Sequence, residues 1–247
     1  MRWIDDGPSL ERALAAAGAA TLALDCEADS LHHYPEKLCL VQLSAAGEDW
    51  LIDPLAFDLA ALRPALEDRA RPKILHGADY DLRLLGRDLG FRVAGLFDTM
   101  LAARLVGERA FGLAALLDKY LGVSLDKKHQ TADWSRRPLP AELQRYAVAD
   151  THHLQPLAAA LDERLRALGR RSWADEEFLR LESIRWRETP DPEAWRRVRG
   201  AAGLDRRGLA VVRELYSWRD GEARRRDTPP FRVLSDERMA ELARRVA

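Results

Sequence analysis

The sequence predicts an α/β domain with a mixed central sheet, followed by a small helical C-terminal region. Two observations support this prediction. Short apolar segments bounded by turn residues come first, and further apolar segments then alternate with helical patterns up to about residue 106. Beyond that point the pattern is mostly helical, with apolar residues recurring every three or four positions.

The first half of the chain contains the predicted strands. Ser9 is predicted to cap a helix over Leu10–Ala17. Three strands then follow, of which the second and third are predicted to form a hairpin: Thr21–Glu27, Leu38–Ser44 and Asp49–Asp53. Strands and helices alternate afterwards, with a helix capped by Asp58, a strand over Lys73–His76, a helix over Asp79–Leu89, a strand over Leu96–Asp98 and a helix over Thr99–Val106.

The second half of the chain is predicted to be helical, over Leu113–Leu121, Pro140–Leu168, Asp175–Arg187, Arg206–Arg226 and Ser235–Val246. We therefore expect a domain over residues 1–168, a helical linker over 169–203 and a second helical domain that begins within 204–247. Two or three short helices form a small core. This last region therefore either packs on the first domain or is the start of a domain that continues further.

Composition excludes several classes of protein. The hydrophobic content of 47% is ordinary for a folded chain and excludes global disorder. Two cysteines, Cys26 and Cys39, are too few for a disulfide framework and fit a reducing cytoplasm. No apolar stretch is long enough for a membrane span, and the N-terminus lacks the layout of a signal peptide. We expect a soluble cytoplasmic protein, and no feature indicates a protein partner.

The charge is distributed unevenly. Residues 1–168 carry 20 Lys and Arg against 25 Asp and Glu, whereas residues 169–247 carry 19 Arg against 15 acids. An acidic body with a basic tail suits a metal site in one part and attraction to phosphates in the other. Solvated arginine-rich helix faces would give the same count, so the charge alone does not decide between the two.

Two carboxylates lie close together in the first apolar strand. Side chains alternate along a strand, so Asp25 and Glu27 share one face and Cys26 points to the other. Burying such a pair is costly unless a metal ion or a positive charge compensates it. The alternative is that the strand ends at Leu24 and both acids are solvated.

Three more residues extend this acidic set. Tyr146 and Asp150 are four apart in a predicted helix and therefore lie on one face, although a packed tyrosine beside a capping aspartate would look the same. Asp81 falls in the first turn of a helix that follows a strand, where α/β sheets bind ligands. Asp79 is predicted to be the N-cap of that helix. The helix dipole alone would also favour an acid such as Asp81 in the first turn.

Taken together, these acids form a set of hard oxygen ligands without the Cys and His spacing of a zinc site. Such ligands suit Mg²⁺ or Mn²⁺. Two such ions, about 3.5–4 Å apart, catalyse in-line displacement at phosphorus. The combination of several acids with one tyrosine therefore indicates a two-metal phosphodiesterase more specifically than any single residue does.

The order of these motifs resembles the tyrosine-bearing branch of the DEDD exonuclease superfamily, and within it the ribonuclease D family. The supporting matches are the segments 34–35, 38–43, 51–55, 76–77, 97–99, 133–139 and 146–150. The resemblance covers about residues 1–168 and implies a ribonuclease-H-like fold. It continues more weakly through residues 194–233, which resemble the start of a helical HRDC domain that helps to bind nucleic acid.

The resemblance also implies residue roles. Asp25 would bridge two divalent ions, Mg²⁺ or Mn²⁺, while Glu27 and Asp150 would hold the ion that binds the attacking water. Asp81 would reach the second ion, and Tyr146 would position the water. Many relatives carry Thr where this chain has Cys26. We expect that difference to matter little, because the side chain faces away from the ions.

Six further residues are candidates for binding substrate. Cationic and aromatic side chains in the loop before the Tyr146 helix could pair with phosphates or stack on bases. His32 and His33 follow the acidic strand closely and could border the terminal nucleotide. The candidates are His33, His76, Lys128, Gln130, Trp134 and Arg137. Trp134 could equally be buried as a plug, and the histidines could be ordinary loop residues.

The sequence thus predicts a metal-dependent 3′-5′ exoribonuclease that releases 5′-mononucleotides, with tRNA precursors and other structured RNAs as substrates. Its partner would be the single-stranded 3′ end of RNA, and we expect no interaction with a membrane. One alternative is a 3′-5′ DNA exonuclease in repair, because no reader of the 2′-hydroxyl can be named. Another is a non-catalytic nucleic-acid-binding module, although the acids that such a module would have lost are present.

Overall fold

A mixed sheet lies at the centre of the larger part of the fold. The computed structural model describes residues 1–125, 128–129, 131–186 and 191–246. Within these residues the strands are β1 (Arg2–Ile4), β2 (Leu22–Ala28), β3 (Leu38–Ala45), β4 (Glu48–Ile52), β5 (Lys73–Leu75) and β6 (Leu96–Asp98). They lie in the order β1-β4-β3-β2-β5-β6. Strand β3 runs antiparallel to β2 and β4, and the other pairs are parallel, which confirms the predicted mixed sheet.

The predicted hairpin between β3 and β4 is confirmed. Ala46 and Gly47 form its turn with positive φ angles of 52° and 78°, as a tight hairpin turn requires. The edge strand β1 was not predicted. It is only three residues long, too short for a hydrophobic period, and it pairs Trp3 with Leu51 of β4.

The helices around the sheet are α1 (Gly7–Ala17), α2 (Arg63–Glu67), α3 (Asp79–Asp88), α4 (Thr99–Val106), α5 (Leu113–Leu121), α6 (Ala141–His152), α7 (Leu154–Ala167) and α8 (Arg171–Glu182). The prediction of one helix over Pro140–Leu168 was wrong, because it breaks at His153. Pro156 has no N–H to donate to the carbonyl of His152, and its ring would clash with that carbonyl in a continuous helix. The helix expected after Asp58 is a 3₁₀ turn over Ala60–Leu62 followed by α2.

Two predicted helix caps were also wrong. Helix α1 begins earlier than expected, because the Asp6 carboxylate accepts the backbone N–H of Ser9 at 2.7 Å. Pro8 then occupies the first turn, where its missing N–H costs nothing. In α3, Ala78 is the cap residue, and Asp79 instead pairs with Arg83 one turn later, at 2.8 Å and 3.0 Å.

The two faces of β2 pack against different layers. Leu22, Leu24 and Cys26 belong to the main hydrophobic core. On the opposite face, Ala23 packs against Leu154 and Ala158 of α7. The side chains of Asp25 and Glu27 follow Ala23 on that second face. The alternation predicted for the strand is therefore confirmed, and β2 continues past both acids to Ala28.

The chain divides into two compact units, each of which is made of two separate segments of the sequence. One, the sheet unit, comprises residues 1–28 and 38–186, and the other, the helical unit, comprises residues 29–37 and 191–246. Helix α8, expected in a linker, packs within the sheet unit: Glu182 accepts the backbone N–H groups of Gly95 and Leu96 at 2.8 Å and 2.9 Å.

The helical unit contains α9 (Arg206–Arg226), α10 (Pro230–Val233) and α11 (Asp236–Val246), together with 3₁₀ turns at Ala194–Arg197 and Ala201–Gly203. Its core is formed by Trp195, Val198, Val212, Met239 and Ala243. Helix α9 has the predicted bounds, and Asp227 ends it in a left-handed conformation with φ 47°. None of the helices among the described residues is long and apolar enough to cross a membrane.

Residues 29–37, which we call the strap, pack within the helical unit although they lie between two strands of the sheet in sequence. The Tyr34 hydroxyl donates to Asp220 of α9. The Tyr34 backbone N–H donates to Asp227 at 3.1 Å, and the His33 ring nitrogen Nδ1 bonds the same carboxylate at 2.7 Å. Arg224 lies over the Tyr34 ring, 5.0 Å from its centroid. Three bonds and a cation–π contact therefore hold the strap to α9.

Candidate active site

Three predicted acids meet on one face of the sheet. Asp25 and Glu27 project from β2, and Asp150 projects from α6. One carboxylate oxygen from each lies within 4.8 Å of the others, and this is the only group of three such ligands found among the described residues. The expected convergence of residues 125 positions apart in sequence is therefore observed, and we call these three residues with Asp81 the acidic cluster.

Burial and mutual repulsion make the charged form of this cluster unfavourable. Burial, followed by the charges of Asp150 and Asp81, raises the pKa of Glu27 to about 9. Burial raises the pKa of Asp150 to about 7. Burial, and then the neighbouring charges of Asp81, Glu27 and Asp150, raises the pKa of Asp25 well above its usual value. Carboxylates in such surroundings become charged readily only when a cation compensates them.

Asp81 lies in the first turn of α3 and is buried. Burial raises its pKa to about 7, although hydrogen bonds from its own backbone N–H and from that of Cys26 oppose this. The Cys26 thiol lies near Asp81 and also lowers the pKa of its carboxyl. Position 26 therefore adjoins an acid of the cluster, which the sequence did not indicate. Its side chain does point away from Asp25, but in doing so it contacts the fourth acid.

The start of α3 is fixed by residues whose role sequence reasoning missed. The Asp98 carboxylate caps α4 by accepting the Leu101 N–H at 2.8 Å, and it also accepts the Ala78 N–H at 2.7 Å. The Thr99 hydroxyl donates to the Leu75 carbonyl at 3.1 Å and bonds His76 at 2.9 Å. In the sequence, the one indication of these roles is the Phe97-Asp98-Thr99 motif, which also supports the family resemblance. These bonds hold the segment that carries Asp81.

Gly77 permits this arrangement. Its φ of +73° is accessible to glycine at little cost, and a Cβ at this position would meet Met100 Cε at 2.9 Å. The chain can therefore turn sharply between β5 and α3.

Tyr146 lies one helical turn before Asp150, as predicted, and both line a cavity of about 300 Å³. Trp134 packs beside Tyr146 with 6.1 Å between ring centroids, and His129 meets it edge-on at 5.6 Å. The cavity is also lined by Ser124, Leu125, His129, Glu142, Arg145 and Ala149.

Sequence reasoning missed His129 and Arg145 as lining residues. A signal existed for Arg145, because positions 142, 145, 146, 149 and 150 follow the three-and-four spacing of one helix face. The adjacent flank of α6, with Leu143 and Ala147, packs on the sheet.

The donor atoms of the acidic cluster are of the kind that binds a divalent cation. Carboxylate oxygens are the ligands that Mg²⁺ and Mn²⁺ prefer. No Lys or Arg among the described residues forms an ion pair with Asp25, Glu27, Asp81 or Asp150 at the 4.0 Å limit. Gln42, buried beside Asp25, also has a side-chain amide without a hydrogen-bond partner in the described part of the chain.

The six predicted substrate residues have different surroundings. Trp134 is buried at 2% exposure, as the plug alternative anticipated. Arg137 is engaged with Asp53 and with three backbone carbonyls. His33 bonds Asp227 in the helical unit, and His76 is held by Thr99. Lys128 is exposed, and Gln130 lies outside the described residues, as does Lys127.

Comparison with known proteins agrees with this geometry. Residues 1–166 match the family model described as 3′-5′ exonuclease, and residues 208–246 match that of the HRDC domain. A ribonuclease D of Gluconacetobacter diazotrophicus is 37% identical over 227 residues, which cover 90% of this chain and 57% of that protein.

Solved structures resemble it over nearly the whole chain. The catalytic core of RRP6 from Trypanosoma brucei has a TM-score of 0.87 and 30% identity, covering 98% of this chain and 69% of that one. Escherichia coli RNase D, described as an exoribonuclease involved in structured RNA processing, has a TM-score of 0.79 and 32% identity, covering 99% and 66%. The chain spans 54–65% of the length of the curated ribonuclease D sequences that it matches.

Proposed function

Because the chain belongs to the ribonuclease D family of 3′-5′ exonucleases, we propose that it is a divalent-metal-dependent 3′-5′ exoribonuclease that releases 5′-mononucleotides. The observation that carries this proposal is the approach of Asp25, Glu27 and Asp150 to within 4.8 Å. Partly buried carboxylates at this distance repel one another, and a divalent cation is the partner that relieves the repulsion.

The approach of Asp25, Glu27 and Asp150 supports the proposal that they would hold one cation together. The family resemblance supports a second cation, to which Asp25 and Asp81 would both contribute. Bound there, the cations would stabilise the charge on the attacking and leaving oxygens of an in-line displacement at phosphorus. Mg²⁺ and Mn²⁺ both suit these oxygen donors.

Tyr146 would orient the attacking water. Its phenol lies one helical turn from Asp150 and lines the same cavity, so a hydroxyl and a carboxylate are presented together. Trp134 and His129 pack on the Tyr146 ring and restrict its rotation. A positioned hydroxyl loses less entropy on reaching the transition state than a mobile one.

The cavity beside Tyr146 is where we propose that the RNA 3′ end binds. Arg145 and His129 line it and could pair with a phosphate or stack on a base. Structured RNAs are proposed as substrates from the description of the Escherichia coli relative, and tRNA precursors are proposed from the family resemblance. The match of residues 208–246 to the HRDC domain supports contact with nucleic acid.

Incubation of the protein with 5′-end-labelled single-stranded RNA, and with DNA of the same sequence, tests the proposal. We expect a ladder that shortens from the 3′ end of RNA in Mg²⁺ or Mn²⁺ and is absent in EDTA. Faster degradation of DNA would favour the repair nuclease instead. Binding of both strands without cleavage, by folded protein in Mn²⁺, would favour the non-catalytic module.

A further inference from the structure

Gln42 is a buried amide with no bonding partner at the edge of the acidic cluster. Its side chain is fully buried, at 0% exposure. Neither Nε2 nor Oε1 has a hydrogen-bond partner among the residues that the structure describes. An unsatisfied buried polar group lowers the stability of the folded state, so an apolar residue of similar shape would be preferred here if packing were the only requirement.

The register of the sheet places Gln42 next to Asp25. The two residues are direct partners in the antiparallel pairing of β2 with β3, and directly opposed side chains project from the same face with Cβ atoms about 4.5–5.5 Å apart. Asp25 is the acid that every other member of the cluster repels. Gln42 therefore carries two hydrogen-bond donors beside the central carboxylate.

Helix α6 covers this same face of β3. Two residues before Gln42, Leu40 packs with Leu143 and Ala147 of α6. Two residues after it, the Ser44 hydroxyl bonds the Thr151 hydroxyl at 2.7 Å. Since alternate residues of a strand share a face, Gln42 lies beneath α6, the helix that carries Asp150. Its amide is thus enclosed between the elements that present the acids.

We propose that Gln42 is a positioning residue of the metal site, whose amide NH₂ donates to the Asp25 carboxylate when a divalent cation is bound. This inference rests on the proposed function. A carboxylate that binds a cation keeps lone pairs that need donors, and hydrogen bonds of this kind fix its orientation. The amide would thus be unsatisfied without a cation and satisfied with one, so it favours the cation-bound state.

If Gln42 had only a structural role, its replacement would lower the stability of the metal-free protein. The proposal instead predicts that Mn²⁺ affinity falls and that this stability does not. In Gln42→Met, the amide is replaced by an apolar group of similar length. We expect the metal-free protein to be as stable as the parent or more stable in urea unfolding with EDTA. We expect Mn²⁺ affinity, measured by calorimetry, to fall about 10- to 100-fold, as for other residues that orient metal ligands.

Gln155→Met is the matched control. Gln155 is an amide of the same unit whose Nε2 donates to the Thr21 and Ser44 carbonyls at 2.9 Å and 3.3 Å. Its replacement should lower the stability of the metal-free protein and leave Mn²⁺ affinity unchanged. Gln42→Asn, which keeps the amide but withdraws it by one methylene, is the second variant in case Gln42→Met does not fold, and it should also lose Mn²⁺ affinity.

The outcomes are distinguishable. Parent-like Mn²⁺ affinity in a folded Gln42 variant, with reduced stability, would overturn the positioning role and leave the proposed function intact. If the parent protein binds no Mn²⁺, or if Asp25→Asn does not abolish its Mn²⁺ binding, the metal site and the proposed function fail together. Weaker Mn²⁺ binding without loss of metal-free stability supports the assignment.

Discussion

Arg137 donates to both carboxylate oxygens of Asp53, through Nε and Nη2 at 2.6 Å each. Its remaining N–H groups donate to the carbonyls of Cys39, Trp134 and Arg136 at 2.6–2.9 Å. All five guanidinium donors are thus used within the fold, and none is left for a phosphate. This pairing ties the loop before α6 to the end of β4.

We therefore expect Arg137→Met to act on stability and not on RNA affinity. The Arg137 side chain is 26% exposed. The free energy of unfolding should therefore fall by about 2 kcal/mol, less than the roughly 3–5 kcal/mol for breaking a fully buried pair. Arg137→Lys should recover part of it, because it keeps the charge but not the fork. Urea unfolding measures the stability and filter binding the affinity. A folded Arg137→Met protein of parental stability that binds RNA tenfold more weakly would restore Arg137 as a substrate residue.

Asp25→Asn should lower exonuclease activity by on the order of 10³-fold, because it removes the central carboxylate. The same change should raise the stability of the metal-free protein near pH 7. Burial and the neighbouring acids raise the pKa of Asp25, so its carboxyl must take up a proton on folding, whereas an asparagine is already neutral. Labelled-RNA degradation and urea unfolding in EDTA report the two effects. An inactive variant that is also less stable would indicate that activity was lost through misfolding.

Tyr146→Phe should lower kcat by about 10- to 100-fold, a smaller loss than that caused by Asp25→Asn. This loss corresponds to one hydrogen bond near a charged group. Mn²⁺ affinity should be unchanged, because the acids remain. The Trp134 and His129 contacts with the ring should also persist. Loss of activity equal to that of Asp25→Asn would argue against a role in orienting water.

The metal-free protein should become less stable as the pH rises. Glu27, with a pKa raised to about 9, and Asp81 and Asp150, with pKa values of about 7, hold protons in the folded state that the unfolded chain releases near pH 4. Their contribution is complete below the unfolded values and is lost as the pH rises through about 7 to 9.

Saturating Mg²⁺ should flatten this dependence, since the cation replaces the protons. Urea unfolding between pH 5 and 9, at fixed ionic strength with EDTA or Mg²⁺, measures both curves. Glu27→Gln should show a shallower slope in EDTA. A slope in EDTA that is zero, or that rises with pH, would contradict the assignment of these carboxyls.

Tyr34→Phe should destabilise the helical unit by about 1–2 kcal/mol, because Asp220 loses a hydrogen bond to a charged group. Burial opposes the charge on Asp220, but hydrogen bonds from Tyr34 and Arg224 lower its pKa. Its contribution is therefore present above the unfolded pKa and is lost as the pH falls through the folded value. Hydrogen exchange of α9 amides at pH 7 would reveal the loss. Unchanged protection would show that the strap adds nothing to the helix.

Most of the fold follows from local patterns. The short apolar segments of β2 and β3, which are bounded by polar or Pro and Gly residues, suffice to place those strands. The period of 3.6 in α4, α5 and α9 suffices to place those helices. The break at His153 was missed although Pro156 was visible, since the apolar stripe of α7 dominated the pattern. The cap at Asp6 was missed because Ser9 also fits a cap position, and only the backbone geometry decides between them.

The site was predictable in composition but not in detail. Spacing placed Asp25 with Glu27 and Tyr146 with Asp150, and their convergence came from the family resemblance. The proximity of Cys26 to Asp81 and the hydrogen bond from Ala78 to Asp98 depend on how α3 and α4 pack, which no local spacing encodes. The unsatisfied amide of Gln42 could not be predicted, because a sequence cannot show whether a buried amide has a hydrogen-bond partner.

The strap has a consequence for how this protein can be divided. Residues 29–37 leave the sheet after β2, join the helical unit and return to begin β3. A fragment that starts near residue 191 would lack Tyr34, the donor to Asp220. A fragment that ends near residue 186 would keep the strap but lose α9 as its binding surface. The two units are interleaved in the polypeptide, so no single proteolytic cut or expression boundary yields both of them whole.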